Sequence, residues 1–146
     1  MTEIAFHFGA PDKLAYVCRL LRKAVASGAK VLVLAPEPLV AKLNTDLWAL
    51  SATEFVPHCL DTAEPSLKER SAVVLVSDMV HAPVHRQVML NLDEGVPLQF
   101  DRFERVIEVV STVEHDRNQA RLRWRAYTER GYAITRHDLT LRGAAA

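Results

Sequence analysis

The amino-acid sequence predicts an α/β protein with a three-layer, Rossmann-like fold, in which a mostly parallel central sheet is flanked by helices. Short apolar runs rich in β-branched residues, such as Val31–Leu34 and Val73–Val76, are typical of strands buried on both faces. Segments with apolar residues at steps of three and four lie between such runs. This alternation of strands and helices indicates a parallel sheet that is covered on both sides.

The first part of the chain is predicted to form a strand, a helix and a second strand. Ile4–Phe8 is short, apolar and aromatic, which favours a strand, and a turn follows over residues 9–12. Apolar residues between positions 14 and 25 then fall on one helical stripe. Gly28 lies where a helix commonly ends, and Val31–Leu34 is the next buried strand.

The middle of the chain is predicted to hold a second helix and two extended segments. Pro36–Leu50 begins with prolines and acidic residues and continues with apolar residues at helical spacing, which predicts a helix. Residues 55–57 (Phe-Val-Pro) form a short extended segment, and Asp61–Arg70 is a polar loop. Val73–Val76 is a further strand.

The remaining elements are two strands and a long final helix. After a proline-interrupted connection, Val88–Leu92 and Arg105–Val110 are predicted to be strands. The charged segment from Val113 to Arg130 forms the last helix, which Gly131 ends. Ala120, Tyr127 and Leu122 are expected to pack this helix on the sheet.

Length and charge set limits on the function. A chain of 146 residues corresponds to one domain, which we expect over residues 1–142, with a flexible C-terminal end at 143–146. Apolar residues make up 49% and charged residues 25% of the chain, as is ordinary for a globular protein. Eighteen basic residues balance eighteen acidic ones, so extensive coating of nucleic acid or of an anionic membrane is not expected.

The sequence also predicts a cytoplasmic protein. Its apolar runs are five residues long, whereas a membrane-spanning helix needs about 20. The N-terminal segment contains the acidic Glu3 and has no basic region followed by an apolar one, so it does not resemble a secretory signal. Cys18 and Cys59 are far apart in apolar surroundings, which indicates reduced thiols in the core rather than a disulfide framework.

Neither a cofactor nor a metal site is expected. The turn after the first strand contains Gly9 alone, followed by Pro11, so it lacks the glycines that let backbone amides approach a pyrophosphate. Pro83 separates His81 from His85 and disfavours the helix that would place both on one face. No group of metal-binding residues has the spacing of a zinc site.

The sequence gives no support for catalysis. Ser77 follows a predicted strand but lies in no nucleophile-elbow motif. His58 and Cys59 are adjacent, and adjacent residues of an extended chain point to opposite faces. We therefore predict no catalytic residues.

The last helix carries the clearest functional signal. Steps of three, four and seven place three arginines beside an indole on one face: Arg117, Arg121, Trp124, Arg125 and Thr128. A solvated helix face is the plain interpretation. Two ligands also suit this chemistry: single-stranded nucleic acid, and an acidic peptide that ends in an apolar side chain and a free carboxylate. One compact patch on a neutral protein favours the peptide over direct nucleic-acid binding.

Two longer motifs give the chain a family resemblance. Leu43-Asn-Thr-Asp-Leu-Trp48 is followed by Glu54-Phe-Val-Pro-His58, and Phe103-Glu-Arg-Val-Ile-Glu-Val-Val110 is followed by Arg121-Leu-Arg-Trp-Arg-Ala-Tyr127 and Gly131-Tyr132. With these motifs in this order, the sequence resembles the chi subunit of bacterial DNA polymerase III holoenzyme over essentially its whole length.

The resemblance implies a non-catalytic subunit of the clamp-loader assembly that binds no nucleotide. Members of that family bind the acidic, phenylalanine-terminated C-terminal tail of single-stranded DNA-binding protein. They also bind the psi subunit, which tethers them to the clamp loader. Contact with DNA would then be indirect, and no membrane is involved.

The resemblance also implies a tail-binding surface in this sequence. It includes an aromatic pair, an apolar residue at a strand end, and the basic and aromatic face of the last helix: Trp48, Phe55, Val110, Arg117, Arg121, Trp124 and Arg125. For psi, the candidates are Phe100, Phe103 and the apolar residues between Val84 and Leu98, which could equally belong to the core.

Overall fold

The computed structural model describes residues 1–50, 55–80 and 83–139. The end expected to be flexible, 143–146, and two of the residues named above, Glu54 and His81, lie outside these ranges. The elements in chain order are β1 (Glu3–Ala10), α1 (Lys13–Ala26), β2 (Val31–Leu34), α2 (Glu37–Trp48), β3 (His58–Leu60), α3 (Pro65–Arg70), β4 (Val73–Val76), β5 (Val88–Asn91), a 3-10 turn (Phe100–Arg102), β6 (Arg105–Ser111), α4 (Glu114–Glu129) and β7 (Ile134–Asp138).

Within the described ranges, seven strands form one parallel sheet in the order β3-β4-β2-β5-β6-β1-β7. Alternate residues of β2 show that helices cover both of its faces. Val31 and Val33 pack in one apolar cluster with residues of α1 and α2. Leu32 and Leu34 pack in a second cluster with Ala120 and Tyr127 of α4. The predicted three-layer α/β fold with a parallel sheet is therefore confirmed.

The first two helices begin and end where local chemistry favours it. The Asp12 carboxylate accepts a hydrogen bond from the Ala15 backbone N–H at 3.1 Å, which caps the start of α1. Gly28 follows the end of α1 at φ 85°, a backbone conformation that glycine adopts without a steric cost. A proline lies in the first turn of α2, where its missing N–H costs no helical hydrogen bond.

Three elements of the structure differ from the sequence prediction: α3, β3 and β7. The polar loop predicted over Asp61–Arg70 contains the short helix α3, which has no buried face and hence no apolar stripe to reveal it. The short extended segment predicted at 55–57 is followed by the strand β3, which begins at His58. The edge strand β7, for which the sequence suggested nothing, pairs with β1, and its mixed polar and half-buried residues lack the apolar run of a central strand.

A buried polar network joins α4 to the sheet. Glu108 of β6 is fully buried and accepts hydrogen bonds from Arg123 Nε at 2.9 Å, Asn91 Nδ2 at 2.9 Å and the Tyr127 hydroxyl at 2.7 Å. Arg123 also donates to the Glu94 carbonyl at 2.8 Å. Burial raises the pKa of Tyr127, and the Glu108 carboxylate adds to this effect, so the hydroxyl remains a donor. This network fixes which side of α4 faces inward.

Both cysteine thiols are free and buried, as predicted. Burial raises the pKa of Cys18, with the neighbouring Asp46 adding to the effect. Among the helices in the described ranges, none combines the length and apolar character needed to cross a bilayer.

Candidate functional site

A cavity of about 890 Å³ lies between α4 and the strands β1 and β7. Five of the seven residues predicted for the site line it: Val110, Arg117, Arg121, Trp124 and Arg125. It lies on the face of the sheet that α4 covers, next to the carboxyl end of β6. The structure thus brings the predicted helix face and the predicted strand-end residue together in one cavity.

The floor of the cavity is apolar because of the alternation along β1. Phe6 and Phe8 are two residues apart and both point to the α4 side, where they line the cavity. The Phe6 ring packs against Trp124 with 5.0 Å between ring centroids. Val110 is 3% exposed and completes the floor. An aromatic or aliphatic side chain of a ligand could pack on this surface.

One wall of the cavity is the arginine face of α4. Arg117, Arg121 and Arg125 are exposed on successive turns, and Arg121 Nη1 donates to Asn118 Oδ1 at 2.7 Å. With Arg136, four arginines line the cavity against two carboxylates, Glu129 and Asp138. This excess of positive charge favours an anionic ligand.

The inward face of α4 differs in one position from the prediction. Ala120 and Tyr127 are buried as expected, but Leu122 is 56% exposed. Its place against the sheet is taken by Arg123, which is 3% exposed because Glu108 pairs with it. Helical geometry puts Leu122 about 100° from Arg123, so only one of them can face the sheet.

Arg136 of β7 is a cavity residue that the sequence analysis missed. Its guanidinium carbon lies 5.0 Å from the centroid of the Phe8 ring and 5.9 Å from that of Trp124. Arg136 approaches from the sheet edge, opposite the arginines of α4. Arg136 pairs in register with Phe6, which lines the cavity. To find Arg136 from the sequence, one would have had to predict that β7 pairs with β1.

Trp48 and Phe55 form a separate exposed aromatic surface. Trp48 is 62% and Phe55 39% exposed, and their ring centroids are 5.3 Å apart. Trp48 also lies 5.0 Å from the ring of His58, the first residue of β3. The pair therefore lies at the amino end of β3, beside α2, whereas Val110 lies near the carboxyl end of β6. The structure does not bring this pair to the cavity.

Comparison with known proteins decides the family. The family described as DNA polymerase III chi subunit, HolC, matches residues 1–135. A relative from Pseudomonas aeruginosa strain PAO1, DNA polymerase III subunit chi, is 33% identical over 130 residues, which are 87% of this chain and 87% of that protein. The chain belongs to the DNA polymerase III chi subunit family. The resemblance in the sequence motifs is thereby confirmed.

In this chi-family chain an ion pair spans the crevice where many α/β folds bind nucleotides. The neighbouring strands β1 and β6 lead into α1 and α4, which leave toward opposite faces of the sheet. Lys13 Nζ of α1 lies 3.1 Å from Asp116 Oδ2 of α4. Burial acts to raise the pKa of Asp116, but the Ser111 backbone N–H and Lys13 together outweigh it, so that pKa is lowered.

Several other residues considered in the sequence analysis are buried in this chi-family fold. Phe100 and Phe103, the candidates for psi contact, are 5% and 2% exposed and belong to the core. His85 is buried, its Nε2 bonds to the Ser71 carbonyl at 2.7 Å, and burial lowers its pKa. Among the described residues, no three His, Cys, Asp or Glu side chains converge in a way that could hold a metal ion.

Proposed function

We propose that this chain is a non-catalytic accessory subunit of the DNA polymerase III clamp-loader assembly, and that its α4 cavity binds the acidic C-terminal tail of single-stranded DNA-binding protein. The observation that carries the proposal is the combination of an apolar aromatic floor with exposed arginines in one cavity. Membership in the chi family links the chain to the polymerase.

The terminal phenylalanine of the tail supplies most of the affinity. Burying such a ring contributes about 1.5–3 kcal/mol, and Phe8, Val110 and Trp124 offer it an apolar surface. An exposed ion pair contributes only about 0.2–1 kcal/mol. Arg117, Arg121 and Arg125 therefore act mainly on the rate of encounter with the acidic tail, and this contribution is sensitive to salt.

Holding the tail links the polymerase to the lagging-strand template, which the DNA-binding protein coats, in the bacterial cytoplasm. The chain then meets DNA indirectly, through a protein partner. This role requires rapid exchange, because the tail has to be released when the DNA-binding protein is displaced. A site whose arginines are exposed to solvent suits such exchange.

The second partner in this proposal is psi, which docks on the aromatic surface of Trp48 and Phe55. Large exposed aromatic side chains are enriched among residues that dominate the affinity of protein interfaces, and Trp48 is 62% exposed. A site at the amino end of β3 leaves the α4 cavity open. One subunit can then hold psi and the tail at once.

Calorimetric titration with an acidic peptide ending in phenylalanine tests the tail proposal. Removing the final phenylalanine is expected to weaken binding by at least about tenfold, whereas Arg121→Ala, which removes one exposed cation, is expected to weaken it about two- to fivefold. Leu122→Ala is the matched control, because Leu122 is exposed beside Arg121 but does not line the cavity. Unchanged affinity without the phenylalanine contradicts the proposal. Tight, saturable binding of an oligonucleotide instead would favour direct single-strand binding.

A further inference from the structure

We propose that Arg136 binds the free α-carboxylate of the bound tail and so makes the cavity selective for a chain terminus over an internal acidic segment. The inference rests on the proposed tail-binding function and names the residue that reads the end of the chain. The family match ends at residue 135, so it does not extend to Arg136.

The first argument is the position of the Arg136 side chain over two aromatic rings. Its guanidinium carbon lies 5.0 Å from the centroid of the Phe8 ring and 5.9 Å from that of the Trp124 ring. This cation–π contact holds the guanidinium at the cavity before the ligand arrives. A guanidinium can donate two N–H groups together to one carboxylate.

The second argument is that the Arg136 guanidinium has no competing polar partner among the residues that the structure describes. No hydrogen bond or ion pair there engages it, and its side chain is exposed on the edge strand β7. Arg121, by contrast, already donates to Asn118. A ligand carboxylate would thus not have to displace a hydrogen-bond acceptor of the described residues from the Arg136 guanidinium.

The third argument is the covalent geometry of a C-terminal phenylalanine. Its ring and its α-carboxylate are attached to the same residue, so a cation that meets the carboxylate must lie beside the surface that holds the ring. Arg136 meets this condition, because it contacts Phe8 and Trp124, two of the rings that line the cavity. Arg121 and Arg117 lie one and two turns nearer than Arg125 to the start of α4, which follows the carboxyl end of β6. There they suit the side-chain carboxylates that precede the terminal residue.

The fourth argument concerns charge. Glu129 and Asp138 line the same cavity as Arg136. These two carboxylates reduce the attraction of this part of the cavity for a segment with several acidic side chains. A single carboxylate that accepts two N–H groups of the Arg136 guanidinium is the anion that this arrangement accommodates best.

A thermodynamic cycle with two peptides tests the inference. The peptides share one acidic sequence ending in phenylalanine and differ only in a free or an amidated C-terminus. We expect the wild-type protein to bind the free acid about tenfold or more tightly than the amide, as for a hydrogen-bonded charged group. Arg136→Gln should reduce this preference to about threefold or less while the amide binds as before. Arg136→Lys should restore part of the preference, because it keeps the charge but not the fork.

The matched control is Arg125→Gln, on the opposite wall of the cavity. It should weaken the binding of both peptides by a similar factor and keep the preference for the free acid. An undiminished preference in Arg136→Gln, or an equal loss for both peptides, overturns the assignment of Arg136 while leaving tail binding intact. If the wild-type protein binds neither peptide, the proposed function fails and the inference fails with it.

Discussion

At the scale of single residues, two arginines of α4 show how far the sequence could predict the site. Arg123 and Arg125 belong to one basic run, and helical spacing correctly put Arg125 on the outer face with Arg117 and Arg121. The burial of Arg123 could not be predicted from that spacing, because it depends on Glu108, which comes from another element. Arg136 was missed for the same reason, since Phe8 and Trp124 reach it only through tertiary packing.

Removing Arg123 should destabilise the protein strongly. In Arg123→Ala the buried Glu108 carboxylate loses its ion-pair partner, and breaking a buried pair costs about 3–5 kcal/mol. Arg125→Ala is the matched control on the same helix and should change the free energy of unfolding by about 0.5 kcal/mol or less. Urea unfolding followed by circular dichroism measures both values. Equal effects of the two variants would show that the Glu108 pair does not stabilise the fold.

At the scale of elements, burial decided which predictions succeeded. Val31–Leu34 and Val73–Val76 were predicted with the bounds that the structure gives, because strands covered on both faces need continuous apolar residues. The edge strand β7 is partly exposed and the helix α3 has no buried residue, so neither element needs a regular apolar pattern. Since β7 forms one wall of the cavity, the arginine wall of α4 followed from the sequence, whereas the wall with Arg136 required the fold.

The contact between α1 and α4 should make stability depend on pH. The lowered pKa of Asp116 means that its ionised form is favoured in the folded state. The resulting stabilisation is present above the unfolded-state pKa of about 3.9 and is lost as the pH falls through the lower folded-state pKa. Asp116→Asn lacks this carboxylate, and it should be about 1–2 kcal/mol less stable than the wild type at pH 7.

Denaturant unfolding of both proteins across the pH range measures the effect. The two free energies of unfolding should begin to converge below about pH 4 and meet once the pH has fallen through the lower folded-state pKa of Asp116, because the wild-type carboxyl is then protonated in the folded protein as well. The exposed first-turn residue Glu114 offers a control, and Glu114→Gln should stay within about 0.5 kcal/mol of the wild type. A constant difference between Asp116→Asn and the wild type down to acidic pH would contradict the assigned role of the carboxylate.

At the scale of the whole molecule, the topology separates residues that the family resemblance grouped together. The crossover from β2 through α2 returns the chain to the amino end of β3, where Trp48 and Phe55 lie. Helix α4 instead begins at the carboxyl end of β6 and covers the other face of the sheet. The sequence contained all seven residues, but it could not show that the sheet lies between the aromatic pair and the arginines.

This separation predicts that the two proposed binding functions can be lost independently. Trp48→Ala should weaken the binding of psi by about tenfold or more, as expected for a central interface aromatic, and leave tail-peptide affinity unchanged within about twofold. Arg121→Ala should weaken the binding of the tail peptide about two- to fivefold, as for the loss of an exposed ion pair, and leave the affinity for psi unchanged. The two surfaces share no residues, so the free energy lost for binding both partners together should, in the double variant, equal the sum of the losses in the single variants.

Calorimetry with each partner, alone and after saturation of the protein with the other partner, gives the four affinities. Loss of tail binding in Trp48→Ala would instead mean that the tail extends around the edge of the sheet and that the aromatic pair belongs to its site.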